Sequence, residues 1–306
     1  MPGKIICVGN VVQDEVFRIE SLPRSGVKTN VLGYEERFGG PAATAAVAIC
    51  RLGGSAAYWG RVGPDAAGRK AIERLRGFGV DCSGVAVLPQ GRTARAIVLV
   101  DAKGERSIVS DRRSLSPDAV LPDDDLRGAG AVLVDTRWPA GARVALERAH
   151  AAGIVSVLDA DGGAAEDNQA LIDLADHVIF SAEGLRDHAG PGEPEALLRR
   201  GVTAPGKVFA VTLGAAGSLW LIDGACCAVP SFPVRVTDTT GCGDVFHGAY
   251  ALALSEGRAP RDAARFASAT AAVKAERGRG WDGMGDRAAI EALIAAHPHA
   301  GAGTGG

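Results

Sequence analysis

The chain has 306 residues, 47% hydrophobic and 23% charged, with a formal net charge of −3; it holds enough apolar material for one large core, and its charge is too balanced for an electrostatic nucleic-acid surface. No apolar run approaches the roughly 20 residues that a bilayer span requires, and Met1-Pro2-Gly3-Lys4 leads straight into Ile5-Ile6-Cys7-Val8 without a secretory leader, so neither a membrane partner nor export is expected and the cytoplasm is the expected compartment. Six cysteines without a C-x-x-C pair, two of them adjacent at Cys226 and Cys227, argue against a structural zinc site or a disulfide framework and read as free thiols.

In chain order, the first predicted strand, Ile5–Val8, runs into Gly9-Asn10-Val11-Val12-Gln13-Asp14. Residues 11–38 and 93–110 show period-two alternation, for example Ala94, Ala96, Val98 and Val100 against Arg95, Ile97 and Leu99, with Asp101-Ala102-Lys103-Gly104 as a hairpin turn. These two segments are expected to pair into one small β-sheet that forms a lid. Between them, Phe38-Gly39-Gly40-Pro41-Ala42-Ala43-Thr44 places two glycines ahead of an alanine-rich helical run. Beyond them, strands at Ala131–Val134, Ile154–Leu158, His177–Phe180 and Val208–Val211 alternate with Ala/Leu/Arg helical runs. That alternation predicts an α/β fold: an open, mostly parallel sheet with helices on both faces. Residues 1–300 form a single domain in this reading, and 301–306 a disordered Gly-rich tail.

Each of the four strands ends in small or polar residues: Asp135-Thr136-Arg137, Asp159-Ala160-Asp161, Ser181-Ala182-Glu183 and Thr212-Leu213-Gly214. Ligands of open α/β sheets bind beyond the carboxyl ends of strands, so these termini are expected to line one cleft. Gly201-Val202-Thr203-Ala204-Pro205-Gly206-Lys207-Val208 nearly matches a P-loop, but it lacks the metal-binding Ser or Thr and precedes a strand instead of following one, so it is rejected. The absence of a G-x-G-x-x-G after the first strand argues against a dinucleotide enzyme.

The most informative stretch is Asp238-Thr239-Thr240-Gly241-Cys242-Gly243-Asp244-Val245-Phe246-His247-Gly248. Gly241 and Gly243 let the backbone turn sharply and present N–H groups at the start of an apolar helix, where the unpaired N–H groups and the helix dipole favour an anion. Asp244 would repel phosphate as a ligand, but it suits a base that takes the proton of a hydroxyl attacking phosphorus. The bland alternative is an Asp N-cap in a glycine turn.

This stretch and Phe38–Ala48, about 200 residues earlier, resemble the two signatures of the ribokinase-like (PfkB) carbohydrate kinases, and the resemblance extends from Ile5 to about Met284. It implies a kinase that uses ATP with Mg2+, acts on a small-molecule sugar, and has catalytic residues Asp244, Gly241, Cys242 and Gly243; the open face of the small lid sheet is separately expected to pair with its copy in a homodimer. It further implies sugar contacts from Asn10, Asp14, Gly39, Gly40 and Thr44, although many relatives carry Asn where Thr44 stands. Val211–Ser218, with Thr212, Gly214 and Gly217, resembles the nucleotide loop, and Phe266–Ala272, with Ser268, resembles the helix beside adenine; a plain hairpin and an alanine-rich packing helix are the respective alternatives. The family's N-x-x-E element is altered here to Ser181-Ala182-Glu183-Gly184, which leaves Ser181 on the nucleotide side and Glu183 as a displaced magnesium candidate. Asp238 and Thr240 correspond to a loop that holds a monovalent cation such as K+ in some relatives; a turn contact is the competing explanation.

Within the family, Gly60-Arg61-Val62-Gly63, Lys103-Gly104-Glu105-Arg106, Asp135-Thr136-Arg137-Trp138 and Gly243–Gly248 are similar to the 6-deoxy-6-sulfofructose kinases. That resemblance implies that Lys28, Ser110 (where those enzymes carry Asn) and Arg137 hold a sulfonate. Independently, Arg137 follows a strand end at the expected cleft, and its planar fork suits a tetrahedral anion. Fructokinase, ribokinase, 2-keto-3-deoxygluconate kinase and sugar-phosphate kinase activities remain alternatives within the class, and a non-catalytic sugar sensor is the alternative outside it.

Overall fold

The computed structural model describes residues 3–103, 105–111, 115–123, 126–162, 165–201 and 206–298. The expected tail and Gly104 of the hairpin turn lie outside these residues. From the N-terminus, β1 (Lys4–Val8) is followed by β2 (Val12–Ile19), β3 (Val31–Gly39) and α1 (Pro41–Arg51). Next come β4 (Ala56–Trp59), β5 (Arg61–Val62), α2 (Ala66–Gly77), β6 (Ala86–Val87), β7 (Arg95–Val100) and β8 (Arg106–Asp111). The central α/β part runs through β9 (Ala129–Asp135), α3 (Pro139–Ala152), β10 (Ser156–Ala160), α4 (Ala165–Leu174), β11 (His177–Ser181), α5 (Ala182–Ala189) and α6 (Pro194–Gly201). The chain ends with β12 (Val208–Thr212), β13 (Ser218–Ile222), β14 (Ala225–Val229), α7 (Cys242–Ser255), α8 (Pro260–Arg277) and α9 (Arg287–Ala296).

The main sheet has eight strands in the order β14-β13-β12-β11-β10-β9-β1-β4. Its pairs from β4 to β12 are parallel and only β13 and β14 run antiparallel, which matches the open, mostly parallel sheet read from the sequence. Side chains alternate between the two faces: Ile5 and Cys7 join a core with α1, α7 and α8, while Ile6 and Val8 join one with α3 to α6. Strand order reverses at β1, since the chain goes from β1 to β4 on one side and returns to β9 on the other, and a crevice opens beyond the strand ends at such a point.

Residues 11–38 and 93–110 contribute all four strands of a second sheet, in the order β3-β2-β7-β8. It is mixed, because β2 and β7 are parallel while the outer pairs are antiparallel. Arg37, Asp14, Ala96 and Ser110 occupy one cross-strand row and therefore one face. Ala96 on that face is buried, whereas the opposite face leaves Leu32, Tyr34, Ile97 and Val109 exposed.

Candidate active site

The two glycine signatures meet at the carboxyl edge of the main sheet. Gly40 has φ 98°, and a Cβ there would lie 2.1 Å from the carbonyl oxygen of Asn10, so only glycine lets α1 begin this close to the end of β1. No side chain of its own caps α1. Instead the buried carboxylate of Asp135, at the end of β9, accepts the Ala42 N–H at 3.0 Å and the Arg137 N–H at 2.8 Å. A side chain begun at Gly39 would meet Asp14 Oδ2 at 2.8 Å, so the Asp14 carboxylate lies against the first glycine of the pair.

On the other side, Gly241 precedes α7 with φ 75° and no side-chain cap; the Cys242 N–H donates to the Thr239 carbonyl at 3.2 Å, which leaves the N–H groups of Gly243 and Asp244 for a ligand. A side chain at Gly241 would start 3.6 Å from Thr44 Cγ2 and 3.7 Å from Asp244 Oδ2, which brings the two signatures into contact. Asp244 stands in the first turn of α7 and is half-buried. Burial, reinforced by Asp159 and opposed by His247, raises its pKa to about 7. A carboxylate in that range can take a proton near neutral pH. Cys242 is different: burial pushes its thiol up to about 11, so it contributes backbone to the turn and not a nucleophile.

Beside the turn lies a cavity of about 600 Å³, lined by Thr212, Gly214, Gly217, Cys242, Gly243 and Ser268 together with Phe232, Val234 and the small residues Ala271, Ala272 and Ala275. The β12–β13 hairpin and the alanine-rich helix are both present, and both form walls of this one cavity. Gly217, with φ 91°, passes so close to the end of β14 that a Cβ would lie 2.3 Å from the Val229 carbonyl oxygen.

The remaining sequence candidates occupy different settings. Asn10 is buried, its amide donating to the Arg137 carbonyl at 3.1 Å and accepting from Arg61 at 3.2 Å, so it braces the site wall. Thr44 is also buried, and its hydroxyl accepts from the Trp281 indole at 3.0 Å, which leaves its own proton to donate. Arg137 is half-buried with Asp161 3.7 Å away. Lys28, in the segment between β2 and β3, and Ser110, on β8, are exposed. Ser181 caps α5, accepting from the Gly184 N–H and donating to Asp161 at 2.7 Å, and lies outside the lining of the large cavity. Glu183 is exposed on the first turn of α5, and among the described residues no three His, Cys, Asp or Glu side chains converge on a metal position. Asp238 accepts from the Thr240 N–H and hydroxyl and meets Arg37 at 3.4 Å, so the turn contact weighed against a monovalent cation is present at this pair. Of the P-loop-like stretch, 202–205 lie outside the described residues, and Lys207 donates to the carbonyls of Ile172 and Asp173 at the end of α4.

Asp159 is read from the sequence as a strand end at the cleft, and Arg61 and His247 as members of longer motifs, but the contacts these three make escape that reading. Arg61 is buried over the Trp138 ring, 4.3 Å from its centroid, and Asp159 and His247 face each other at 3.4 Å beneath Asp244. The one signal in the sequence is a histidine inside an otherwise apolar helix, four residues after Gly243.

Residues 3–281 match the model of the pfkB family carbohydrate kinases. The chain belongs to this family. It is an ATP-dependent carbohydrate kinase, similar to a ribokinase of Arabidopsis thaliana (28% identity, covering 95% of this chain and 80% of the relative) and to fructokinase-1 of Zea mays (34% identity, 69% and 72%). A solved structure of Arabidopsis thaliana ribokinase complexed with ribose and ATP superposes with a TM-score of 0.85 at 27% identity, covering 96% of this chain and 99% of that one. No helix among the described residues is long and apolar enough to cross a membrane.

Proposed function

We propose that this pfkB kinase transfers the γ-phosphoryl of ATP to the 1-hydroxyl of a ketohexose that carries an anion at its far end, 6-deoxy-6-sulfofructose. The observation that carries this reading is Arg137. Its guanidinium stands just past the end of β9, beside the residues that hold Asn10, and its acidic neighbour Asp161 is 3.7 Å away, a separation that leaves room for a tighter tetrahedral anion. Lys28 and Ser110 belong to the small sheet, and closing that lid over the sugar would bring them to the same anion while excluding water from the reacting phosphoryl group. Ser110 shares its row and face with Asp14, which receives the sugar hydroxyls in this reading.

Asp244 accepts the proton of the attacking hydroxyl, and the N–H groups at the start of α7 stabilise charge on the phosphoryl group in flight. Magnesium enters as part of the MgATP substrate, since the described residues form no cage of their own. A release assay for ADP across 6-deoxy-6-sulfofructose, fructose, ribose, 2-keto-3-deoxygluconate and phosphorylated hexoses tests the assignment. The sulfonated sugar should give the highest kcat/KM; preference for a neutral sugar refutes the anion reading, and no turnover with any of them supports a sensor.

The same reading places a second copy of the chain on the lid. The outward face of the small sheet exposes Leu32 (70%), Tyr34 (57%), Ile97 (43%) and Val109 (64%), a contiguous apolar surface suited to an isologous dimer. Light scattering behind size exclusion should give the dimer mass, and Val109→Glu should give the monomer; a monomeric wild type overturns the dimer.

A further inference from the structure

His247 is the sixth residue of α7, and both of its ring nitrogens face acceptors. Nδ1 lies 2.6 Å from the Gly243 carbonyl oxygen and Nε2 lies 3.3 Å from the Ile179 carbonyl oxygen. A carbonyl can only accept, and a neutral imidazole has a single N–H, so both contacts are satisfied only when the ring carries both protons. A carboxylate is in place to balance that charge: Asp159 Oδ2 is 3.4 Å from Nδ1, and the Asp159 side chain is 5% exposed.

The carboxyl group has its own constraint. Asp159 Oδ1 is buried and has no hydrogen-bond partner. A neutral carboxyl would put its proton either on Oδ1, which has no acceptor, or on Oδ2, which faces a ring nitrogen already donating to Gly243. A carboxylate facing an imidazolium removes the clash of two donors at Oδ2 and needs no acceptor at Oδ1, where the adjacent positive charge offsets the cost of a buried, unpartnered oxygen. Burial works the other way, pushing Asp159 up and His247 down towards their neutral forms, while the Gly243 carbonyl, Asp244 and the Ile179 carbonyl pull His247 back towards its charged form. The two acceptors decide for the charged pair.

We propose that Asp159 and His247 form a buried carboxylate–imidazolium pair that fixes the Gly243 carbonyl in the first turn of α7 and keeps the neighbouring Asp244 ready to accept a proton. This rests on Asp244 being the base. His247 is a positioning residue here, acting through Gly243 and Asp244. The other charged groups around Asp244 and the pair are Asp135 and Arg137 at the end of β9, Asp161 past β10, and, on the far side of Cys242, Asp238 and Lys274 of α8. The carboxylates among them oppose ionisation of Asp244, and the imidazolium is the cation next to it. A positive charge there lowers the pH at which the base becomes available.

Two measurements test the pair. In the wild type labelled with ¹⁵N-histidine, the His247 ring, assigned through bonds from its backbone, should show two protonated nitrogens at pH 7 to 8; one bare nitrogen overturns the proposal. In pH profiles of kcat/KM, His247→Gln removes the cation and should move the acidic limb to higher pH by roughly one unit, whereas Asp159→Asn removes an opposing charge and should leave the limb in place or move it lower. Equal loss at every pH in His247→Gln, with the limb unmoved, would mean that the histidine only packs. Should His247→Gln fail to fold, the wild-type nitrogens and the Asp159→Asn profile decide. A wild type without any acidic limb counts against Asp244 as base, and the ring nitrogens still decide the pair.

Discussion

The carboxylate of Asp135 accepts the backbone N–H of Ala42 at 3.0 Å, which fastens the end of β9 to the first turn of α1 across 93 residues of sequence. Because the same carboxylate also accepts from the Arg137 backbone, one buried charge sets the position of both the glycine-pair helix and the proposed anion-binding arginine. Charge-assisted bonds of this kind contribute about 1.5–3 kcal/mol each. Asp135→Ala is therefore expected to lower unfolding free energy by about 3 kcal/mol or more in urea titrations, with Asp135→Asn, which keeps one acceptor, in between. Unchanged midpoints would show that the helix start is held by other contacts.

Asp244→Asn should reduce kcat by roughly 100-fold or more, within the usual range for loss of a general base. The wild-type kcat/KM should rise with pH through about 7, because only the ionised form can take the hydroxyl proton. A second consequence follows from linkage. The folded-state pKa is raised above the value near 4 of the unfolded chain, so the native state binds more protons, and this group's contribution to stability falls as pH climbs from about 4 to about 7. Asp244→Asn should then melt above the wild type at pH 8, with the gap closing below pH 4; a variant that melts lower at pH 8 would contradict a desolvated base.

Gly243 and Gly241 should respond differently to side chains. A Cβ at Gly243 meets no atom within 4 Å, and the residue lines the large cavity, whereas Gly241 needs φ 75°. Gly243→Val is expected to leave the melting temperature nearly unchanged while raising the ATP KM roughly tenfold or more, because its methyl groups would occupy phosphate space. Gly241→Val should lose stability as well. Wild-type ATP kinetics in Gly243→Val would remove the turn from nucleotide binding.

Arg137→Ala should lower kcat/KM for 6-deoxy-6-sulfofructose by tenfold to a hundredfold, equivalent to about 1.5–3 kcal/mol of transition-state binding, and scarcely affect fructose. Equal loss on both sugars would assign the guanidinium to holding Asp161 in place, since Asn10 bonds the Arg137 backbone carbonyl, which the variant keeps.

The parallel strands are legible in the sequence because each is a short apolar run closed by polar residues, and β9 to β12 fall within two residues of their expected bounds. Both glycine signatures are legible for a similar reason, since Gly40 and Gly241 are required by backbone geometry that few other residues can adopt. The pairings below the site are not. Asp159 and His247 meet only because β10 lies under the start of α7, 88 residues on, and a histidine among Val245, Phe246 and Tyr250 reads as core packing. Asn10 sits at an expected position, yet the use of its amide depends on Arg61, which approaches from a different strand and is placed by stacking on Trp138.

Trp281 gives the order of synthesis a role in when this enzyme becomes competent. Its indole donates to Thr44, its ring lies 6.3 Å from that of Phe38 and 6.1 Å from that of Phe78, and nearby Asp282 and the Met284 carbonyl receive Arg74 and Arg51. Helix α1 thus leaves the ribosome about ten to fifty seconds before the residues that brace it, at ordinary elongation rates of about 5–20 residues per second. Through that interval the apolar faces of α1 and α2 lack their final cover, so the nascent chain is expected to expose apolar surface until residue 281 is made. A chain cut short before residue 281 should accumulate as an aggregation-prone fragment with no partial activity.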